Sequence, residues 1–256
     1  MRPDGLEQAN TPRMDALIAE GASTLNARTV MPSVTLPCHQ SLFRSVTPER
    51  HGITTNTFMP LARPVPSLID VVHASKGTTA SFYNWEQLRD LSDPGALTAS
   101  FFLKNCHRPT GDVEVAELAA DYLAKNPTTF AFIYLGFTDI AGHGAGWMSE
   151  PYLTAIENAD ACIGTVLDAL REAGRLDETL VIVTADHGGH GQSHGTMMDE
   201  DMLIPWIAWG AGVPKGITLS DPVEIIDTPP TVAAYLGIEA SEEWRGRVVP
   251  EIAPTA

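Results

Sequence analysis

The chain has 256 residues, of which 44% are hydrophobic, and a formal net charge of −16. This composition is typical of a globular protein with one sizeable core, and no apolar run reaches the ~18–20 residues that a membrane span needs. The negative charge excludes a basic face that binds a nucleic-acid duplex, so a phosphorylated ligand would need local positive charge, which metal ions supply.

Helical and strand patterns alternate along the chain. They predict helices over residues 13–20, 66–74, 112–125, 152–173 and 227–236, and strands over residues 78–85, 97–103, 129–137, 180–185 and 204–209. Strands separated by helices predict βαβ units, and therefore an α/β fold with a mainly parallel sheet covered on both faces. No repeat or low-complexity linker interrupts the pattern, which predicts a single domain over residues 1–256.

The most informative segment runs from Leu180 to Gly195. Its apolar, β-branched run predicts a strand buried on both faces; the strand ends in Asp186-His187, and a glycine-rich loop then carries His194. Open α/β sheets place ligands beyond the carboxyl ends of their strands, so these metal-preferring side chains indicate a metalloenzyme. The alternative is a surface histidine cluster that binds metal only by accident. The order of the histidines excludes the H-x-H-x-D-H pattern of a metallo-β-lactamase.

Two further clusters lie in turn-rich positions. Asp139 and His143 are four residues apart, so one helical turn would aim both at one ion, and mixed carboxylate and imidazole ligands suit Zn²⁺, Mn²⁺ or Fe. The alternative is an aspartate that caps a turn beside a solvent-facing histidine. Thr35 lies in a proline-bracketed loop, where a hydroxyl near a helix N-terminus can act as a metal-activated nucleophile or simply as an N-cap.

Together these clusters resemble the alkaline phosphatase superfamily, specifically its type I phosphodiesterase/nucleotide pyrophosphatase family. The segment Thr35-Leu36-Pro37-Cys38-His39 resembles the nucleophile motif T-F-P-N-H, and residues 47–53 resemble its P-x-x-H-G-I continuation. Residues 138–144 resemble D-x-x-G-H, and Asp186-His187-Gly188 resembles the D-H-G signature. Four motifs in this order cover nearly the whole chain.

The resemblance implies an α/β/α sandwich that holds two divalent metal ions, usually Zn²⁺, with Mn²⁺ or Fe as alternatives. By matching position, one ion would be bound by Asp139, His143 and His194, and the other by Thr35, Asp186 and His187. The implied reaction is hydrolysis of a phosphodiester or pyrophosphate bond in a small phosphorylated substrate such as a nucleotide, through a phospho-threonine at Thr35. The alternatives are a phosphomonoesterase, phosphonate hydrolase or phosphomutase of the same superfamily, or an inactive truncated fragment that binds metal.

The chain departs from the family pattern in three places. The family's first strand ends in an Asp-Gly just before the position of Met1, and its Asp ligates the second metal. We therefore expect the first strand to be missing, Met1 to be an internal methionine, and Asp4 to be no substitute for the missing ligand. Cys38 takes a position where the family often has an Asn that holds phosphoryl oxygens, although a thiol is a weaker donor. The short spacing between His187 and His194 predicts little or no cap.

Several residues outside the motifs carry weaker predictions. Tyr83 and Trp85 are interpreted as core residues rather than a base pocket, His190 as a loop residue, and Trp147 as a side chain that could reach the mouth of the site. Three scattered cysteines form no disulfide framework, and no apolar stretch follows Met1, so we expect a cytoplasmic location. The sequence has no pattern that indicates an oligomeric state.

Overall fold

The computed structural model describes residues 1–61 and 63–252. The strands are β1 (Ala22–Arg28), β2 (Thr79–Tyr83), β3 (Ala99–Phe102), β4 (Phe130–Ile133), β5 (Leu180–Thr184), β6 (Leu203–Gly210) and β7 (Ile217–Thr218). The α-helices are α1 (Pro3–Gln8), α2 (Pro12–Glu20), α3 (Thr35–Arg44), α4 (Pro48–His51), α5 (Leu68–Ala74), α6 (Pro109–Lys125), α7 (Phe137–Ala145), α8 (Glu150–Glu172), α9 (Asp199–Met202) and α10 (Thr228–Tyr235). Short 3₁₀ helices span Glu86–Leu91, Leu176–Glu178 and Ile225–Asp227.

The strands form two sheets. In the first the order is β3-β2-β4, and all strands are parallel. In the second the order is β5-β6-β1-β7, where β6 is antiparallel to both of its neighbours and β7 is parallel to β1. Since the segments after β4 and β5 meet at one edge, as described below, these strands run in the same direction. Only β6 is reversed among the described strands, so the prediction of a mainly parallel α/β sheet is confirmed.

The two sheets share one layer between two hydrophobic clusters. On β4, Phe132 packs on the first cluster and Ile133 on the second; on β5, Ile182 and Val183 divide in the same way. Helices α3, α5 and α10 cover the first face, and α1, α2, α6 and α8 cover the second. This arrangement is an α/β/α sandwich.

A gap separates the two sheets inside this layer. The facing edges of β4 and β5 have no strand partner among the described residues, and their apolar side chains are only partly buried. Met1 packs against both hydrophobic clusters, and its terminal nitrogen donates to the carbonyl oxygen of His187 just beyond β5, at 2.7 Å. Met1 therefore lies in the plane of the sheet, at its carboxyl edge. We call the space between β4 and β5 the strand slot.

Several elements differ from the sequence-based predictions, and α1, α4, α9 and β7 had no predicted counterpart. Strand β1 was not predicted, because its sequence has no continuous apolar run. Pairing with β6 and β7 defines it, and its Ala22 and Ala27 belong to the first hydrophobic cluster. The strand expected over residues 129–137 ends at Ile133, and Phe137 already begins α7. Helix α6 starts at Pro109, three residues earlier than expected, with proline in the first turn, where its missing N–H costs nothing.

The remaining global predictions concern the membrane and the cysteines. No helix in the described part of the chain is both long and apolar enough to cross a bilayer. Cys38, Cys106 and Cys162 are all buried and free, so none of the three takes part in a disulfide.

Candidate active site

Helix α7 presents the first pair of candidate ligands. It begins just after β4, and Asp139 and His143 lie one turn apart on it, with 3.6 Å between Oδ2 of the carboxylate and Nε2 of the imidazole. Asp139 does not cap the helix; its Oδ1 is buried and has no hydrogen-bond partner in the described structure. A buried carboxylate oxygen without a donor is unfavourable unless a cation is bound there.

The loop after β5 brings the third candidate ligand to the same place. Nε2 of His194 lies 3.2 Å from Nε2 of His143 and 3.8 Å from Oδ1 of Asp139. Donor atoms of all three side chains lie within 4.8 Å of one another. A single ion can therefore contact all three, although His194 is 51 residues from His143 along the chain.

The hydrogen bonds of the two histidines orient their free nitrogens toward each other. Nδ1 of His143 lies 2.9 Å from the carbonyl oxygen of Gln192, and Nδ1 of His194 lies 2.8 Å from that of Ser33. Because a carbonyl only accepts, each Nδ1 carries the proton, and in the neutral rings both Nε2 lone pairs face one another at 3.2 Å. Such an approach is repulsive without a cation, and backbone-bonded imidazoles are the usual form of metal-ligating histidine. The residues fit a divalent ion.

A second group of candidate ligands adjoins the first. Oγ1 of Thr35 lies 3.2 Å from Nε2 of His187, and Oδ2 of Asp186 lies 3.3 Å from the same nitrogen. The rings of His187 and His194 stack with their centroids 3.9 Å apart, so the two groups of candidate ligands are in direct contact. Thr35 is the first residue of α3 and its hydroxyl makes no capping bond, because Val34 is the N-cap. The structure thus brings all six predicted site residues together.

Asp186 gives the second group its negative charge. Its Oδ2 is buried without a hydrogen-bond partner and lies 3.4 Å from Nδ1 of His39, which donates to the carbonyl oxygen of Thr35. Burial opposes ionisation of Asp186, but the neighbouring His187 and His39 outweigh it and lower the pKa of the carboxyl group. Burial lowers the pKa of His39. The buried carboxylate oxygen of Asp186, which accepts no hydrogen bond, also fits a cation.

Comparison with known protein families identifies the family of the chain. Residues 1–207 match the family described as type I phosphodiesterase / nucleotide pyrophosphatase. The chain belongs to this family. It is 24% identical over 229 residues to mouse bis(5′-adenosyl)-triphosphatase enpp4, covering 79% of this chain and 48% of that protein. It is 28% identical over 141 residues to 2,3-bisphosphoglycerate-independent phosphoglycerate mutase of Staphylococcus aureus, covering 52% of this chain and 25% of that protein. The chain thus spans half or less of the length of these relatives.

Solved structures of other proteins share the fold of this phosphodiesterase family member. Human ectonucleotide pyrophosphatase / phosphodiesterase 5 superposes with a TM-score of 0.82 at 14% identity, over 96% of this chain and 94% of that one. Phosphonate monoester hydrolase from Silicibacter pomeroyi superposes with a TM-score of 0.75 at 18% identity, over 98% of this chain and 74% of that one. Both are members of the alkaline phosphatase superfamily, so the sandwich is an alkaline phosphatase-like fold, as expected from the motifs.

Cys38 lies in the hydrophobic core of this family member. Its side chain is fully buried, with Sγ 3.6 Å from the carbonyl oxygen of Pro32, and burial raises the pKa of the thiol to about 12. It cannot reach a substrate. Instead, the side chain of Asn56 lies beside the nucleophile, with its Oδ1 accepting the N–H of Leu36 at 2.9 Å. Asn56 lies in a turn-rich loop, where an asparagine carries no local signal of such a role.

Trp147 and Asp4 also lie away from the mouth of the site. Trp147 is buried beneath the ligands, with its ring 5.0 Å from that of His143 and 5.8 Å from that of His194. A Cβ at Gly189 would come within 2.2 Å of the indole, so a glycine is required there. Asp4 pairs with Arg2 at 2.8 Å and joins neither ligand group. Tyr83 is buried and Trp85 packs against the same cluster, so both belong to the core.

Metal binding should be visible as stabilisation. We expect Zn²⁺ at 100 times its Kd to raise the free energy of unfolding by about 2.7 kcal/mol, because the ligands converge only in the folded state. Asp139→Asn should remove most of this gain, whereas Asp121→Asn, an exposed change on α6, should keep it. Thermal unfolding with and without Zn²⁺ measures both. A metal-dependent shift that survives Asp139→Asn would place the ion elsewhere.

Proposed function

We propose that the chain hydrolyses a phosphodiester or pyrophosphate bond in a small phosphorylated substrate, through a phospho-threonine at Thr35. The observation that carries this proposal is the position of Thr35. Its hydroxyl contacts His187 at the start of α3 and adjoins the converging Asp139, His143 and His194. Family membership supports the reaction class.

Each residue of the site takes a separate role in the proposed reaction. Thr35 attacks phosphorus, the P–O bond to the leaving group breaks, and water later cleaves the phospho-threonine from the opposite side. The N-terminus of α3 favours the negative charge of the phosphoryl group. Divalent ions held by the two ligand groups would lower the pKa of the Thr35 hydroxyl and offset charge on the phosphoryl oxygens. Nδ1 of His187 donates to the carbonyl oxygen of Gly188 at 2.8 Å, which keeps its Nε2 directed at Thr35.

We assign Asn56 a role in binding the phosphoryl oxygens. Its Oδ1 is already occupied by the N–H of Leu36, so its Nδ2 group carries the donors that remain beside Thr35. Asn56→Ala should lower kcat/KM by about 10²-fold, as loss of one oxyanion donor commonly does. Thr57→Ala, an exposed change in the same loop, serves as the control. Equal kcat/KM for the Asn56 variant and the wild type would remove this role.

A comparison of two chromogenic substrates tests the reaction class. Bis(p-nitrophenyl) phosphate is a diester and p-nitrophenyl phosphate is a monoester, and both release the same leaving group. We expect faster turnover of the diester in the presence of Zn²⁺ or Mn²⁺. Faster turnover of the monoester would instead favour a phosphomonoesterase of the same superfamily. No turnover of either substrate, with metal bound, would indicate an inactive metal-binding fragment.

Nucleotides are the substrate class we propose to test first. The mouse relative is named a bis(5′-adenosyl)-triphosphatase, and murine ectonucleotide pyrophosphatase / phosphodiesterase 5 was solved as an inactive threonine-to-alanine variant in complex with AMP. Release of AMP from a dinucleoside polyphosphate, followed by chromatography, would support this substrate class. Cleavage of the aryl diester without cleavage of any nucleotide would contradict it.

A further inference from the structure

We propose that Asp112 and Asp201 are positioning residues for the Asp139–His143–His194 group. Each is a buried carboxylate that fixes one of the two chain segments from which these ligands come. The inference rests on the proposed metal site but not on the proposed reaction. Neither residue contacts the candidate ligands directly.

Asp112 anchors the start of α7. It lies on α6, is fully buried, and its Oδ1 accepts the N–H of Gly136 at 2.9 Å while its Oδ2 accepts that of Phe137 at 3.1 Å. Asn84 donates a third hydrogen bond to it at 2.8 Å. These N–H groups belong to the first residues of a helix that has no capping side chain of its own. Asp112 therefore fixes the end of α7 that is nearest to Asp139.

Asp201 anchors the loop that carries His194. It is fully buried on α9, where its Oδ2 accepts both the N–H and the hydroxyl of Thr196 at 2.8 Å, and its Oδ1 accepts Nδ1–H of His190 at 2.8 Å. These hydrogen bonds outweigh the cost of burial and lower the pKa of Asp201. His190 and Thr196 lie on either side of His194 in the chain, so one carboxylate holds the loop both before and after the candidate ligand.

The need for two anchors follows from the chemistry of the site. Without a cation, Nε2 of His143 and Nε2 of His194 repel each other, so the apo site tends to open. Ligands must be held to within about 0.5 Å for tight binding, and partners outside the ligand set commonly do this. Asp112 resists movement on the α7 side, and Asp201 resists movement on the loop side.

Titration with Co²⁺ alone, followed by its absorption spectrum, tests this inference without any substrate. Asp112→Ala and Asp201→Ala should each raise the Kd for Co²⁺ by about 10–100-fold and alter the spectrum of bound Co²⁺. Asp112→Asn and Asp201→Asn should bind more tightly than the alanine variants, because an amide oxygen still accepts the backbone N–H.

Exposed acids on the same helices provide matched controls. Asp121→Ala on α6 and Asp199→Ala on α9 remove equal charge at solvent-exposed positions and should leave the Kd unchanged. An unchanged Kd and spectrum in either buried alanine variant would overturn the role of that residue. If an alanine variant does not fold, the asparagine variant decides. A Kd for Co²⁺ equal to that of the wild type overturns the role of the carboxylate, and a raised Kd supports it. A wild-type protein that binds no Co²⁺ would refute the metal site itself.

Discussion

Thr35→Ala is expected to lower phosphodiester turnover by at least about 10³-fold, because the variant lacks the hydroxyl that attacks phosphorus. The variant should bind metal and remain folded, since only a small side chain at the start of α3 changes. Steady-state hydrolysis of bis(p-nitrophenyl) phosphate measures the loss. Mass spectrometry of acid-quenched wild type should show one added phosphoryl group on the peptide that contains Thr35.

Two further variants separate chemistry from packing. Thr35→Ser keeps the hydroxyl and should retain a substantial share of the activity, whereas Thr35→Val keeps the branched shape without a nucleophile and should be as inactive as alanine. Full activity in Thr35→Ala would refute the covalent mechanism. Equal activity in the serine and valine variants would show that the hydroxyl takes no part in the reaction.

A large effect on stability is also expected from filling the strand slot. An apolar, β-branched segment of about five residues joined to the nitrogen of Met1 would lie between β4 and β5 and pair with both open edges. Burying five such side chains contributes about 10 kcal/mol, and ordering five residues costs about 7.5 kcal/mol. The net gain of about 2.5 kcal/mol should raise the thermal midpoint by about 5–10 °C.

The position of Met1 gives the extension its direction. Its nitrogen is buried at the carboxyl edge of the sheet, so a preceding segment would run parallel to β4 and β5. An amide there would keep the hydrogen bond to the carbonyl oxygen of His187 without burying a charge. A glycine-serine extension of equal length is the control, and differential scanning calorimetry is the measurement. Equal midpoints for the two extensions would show that the slot does not accept a strand.

The sequence was most reliable where chemistry and local geometry coincide. Asp139 and His143 are separated by one helical turn, so their convergence needs only that α7 forms. Asp186 and His187 follow a run apolar enough to be a buried strand, so the sequence also predicts that they lie at the edge of a sheet. The ordered motifs therefore indicated both the fold class and the six candidate site residues before any coordinates.

The pairing of β1 and the contacts of Asn56, Asp112 and Asp201 depend on tertiary structure. Strand β1 is defined by pairing with β6, and Asn56 acts across a loop on the N–H of Leu36. The two buried aspartates resemble ordinary helix residues in the sequence. Asp112 accepts N–H groups of α7 that lie 24 and 25 residues away, and Asp201 accepts that of Thr196 in the neighbouring loop.

The sequence by itself determined the ligand types, their order, and the α/β alternation, because residue chemistry and hydrophobic periodicity are local properties. Tertiary structure decided which nitrogens of His143 and His194 face the ion position, and that β4 and β5 stand apart. Those features depend on hydrogen bonds and strand pairing between segments far apart in the chain, and such long-range partners are not encoded in any short stretch of residues.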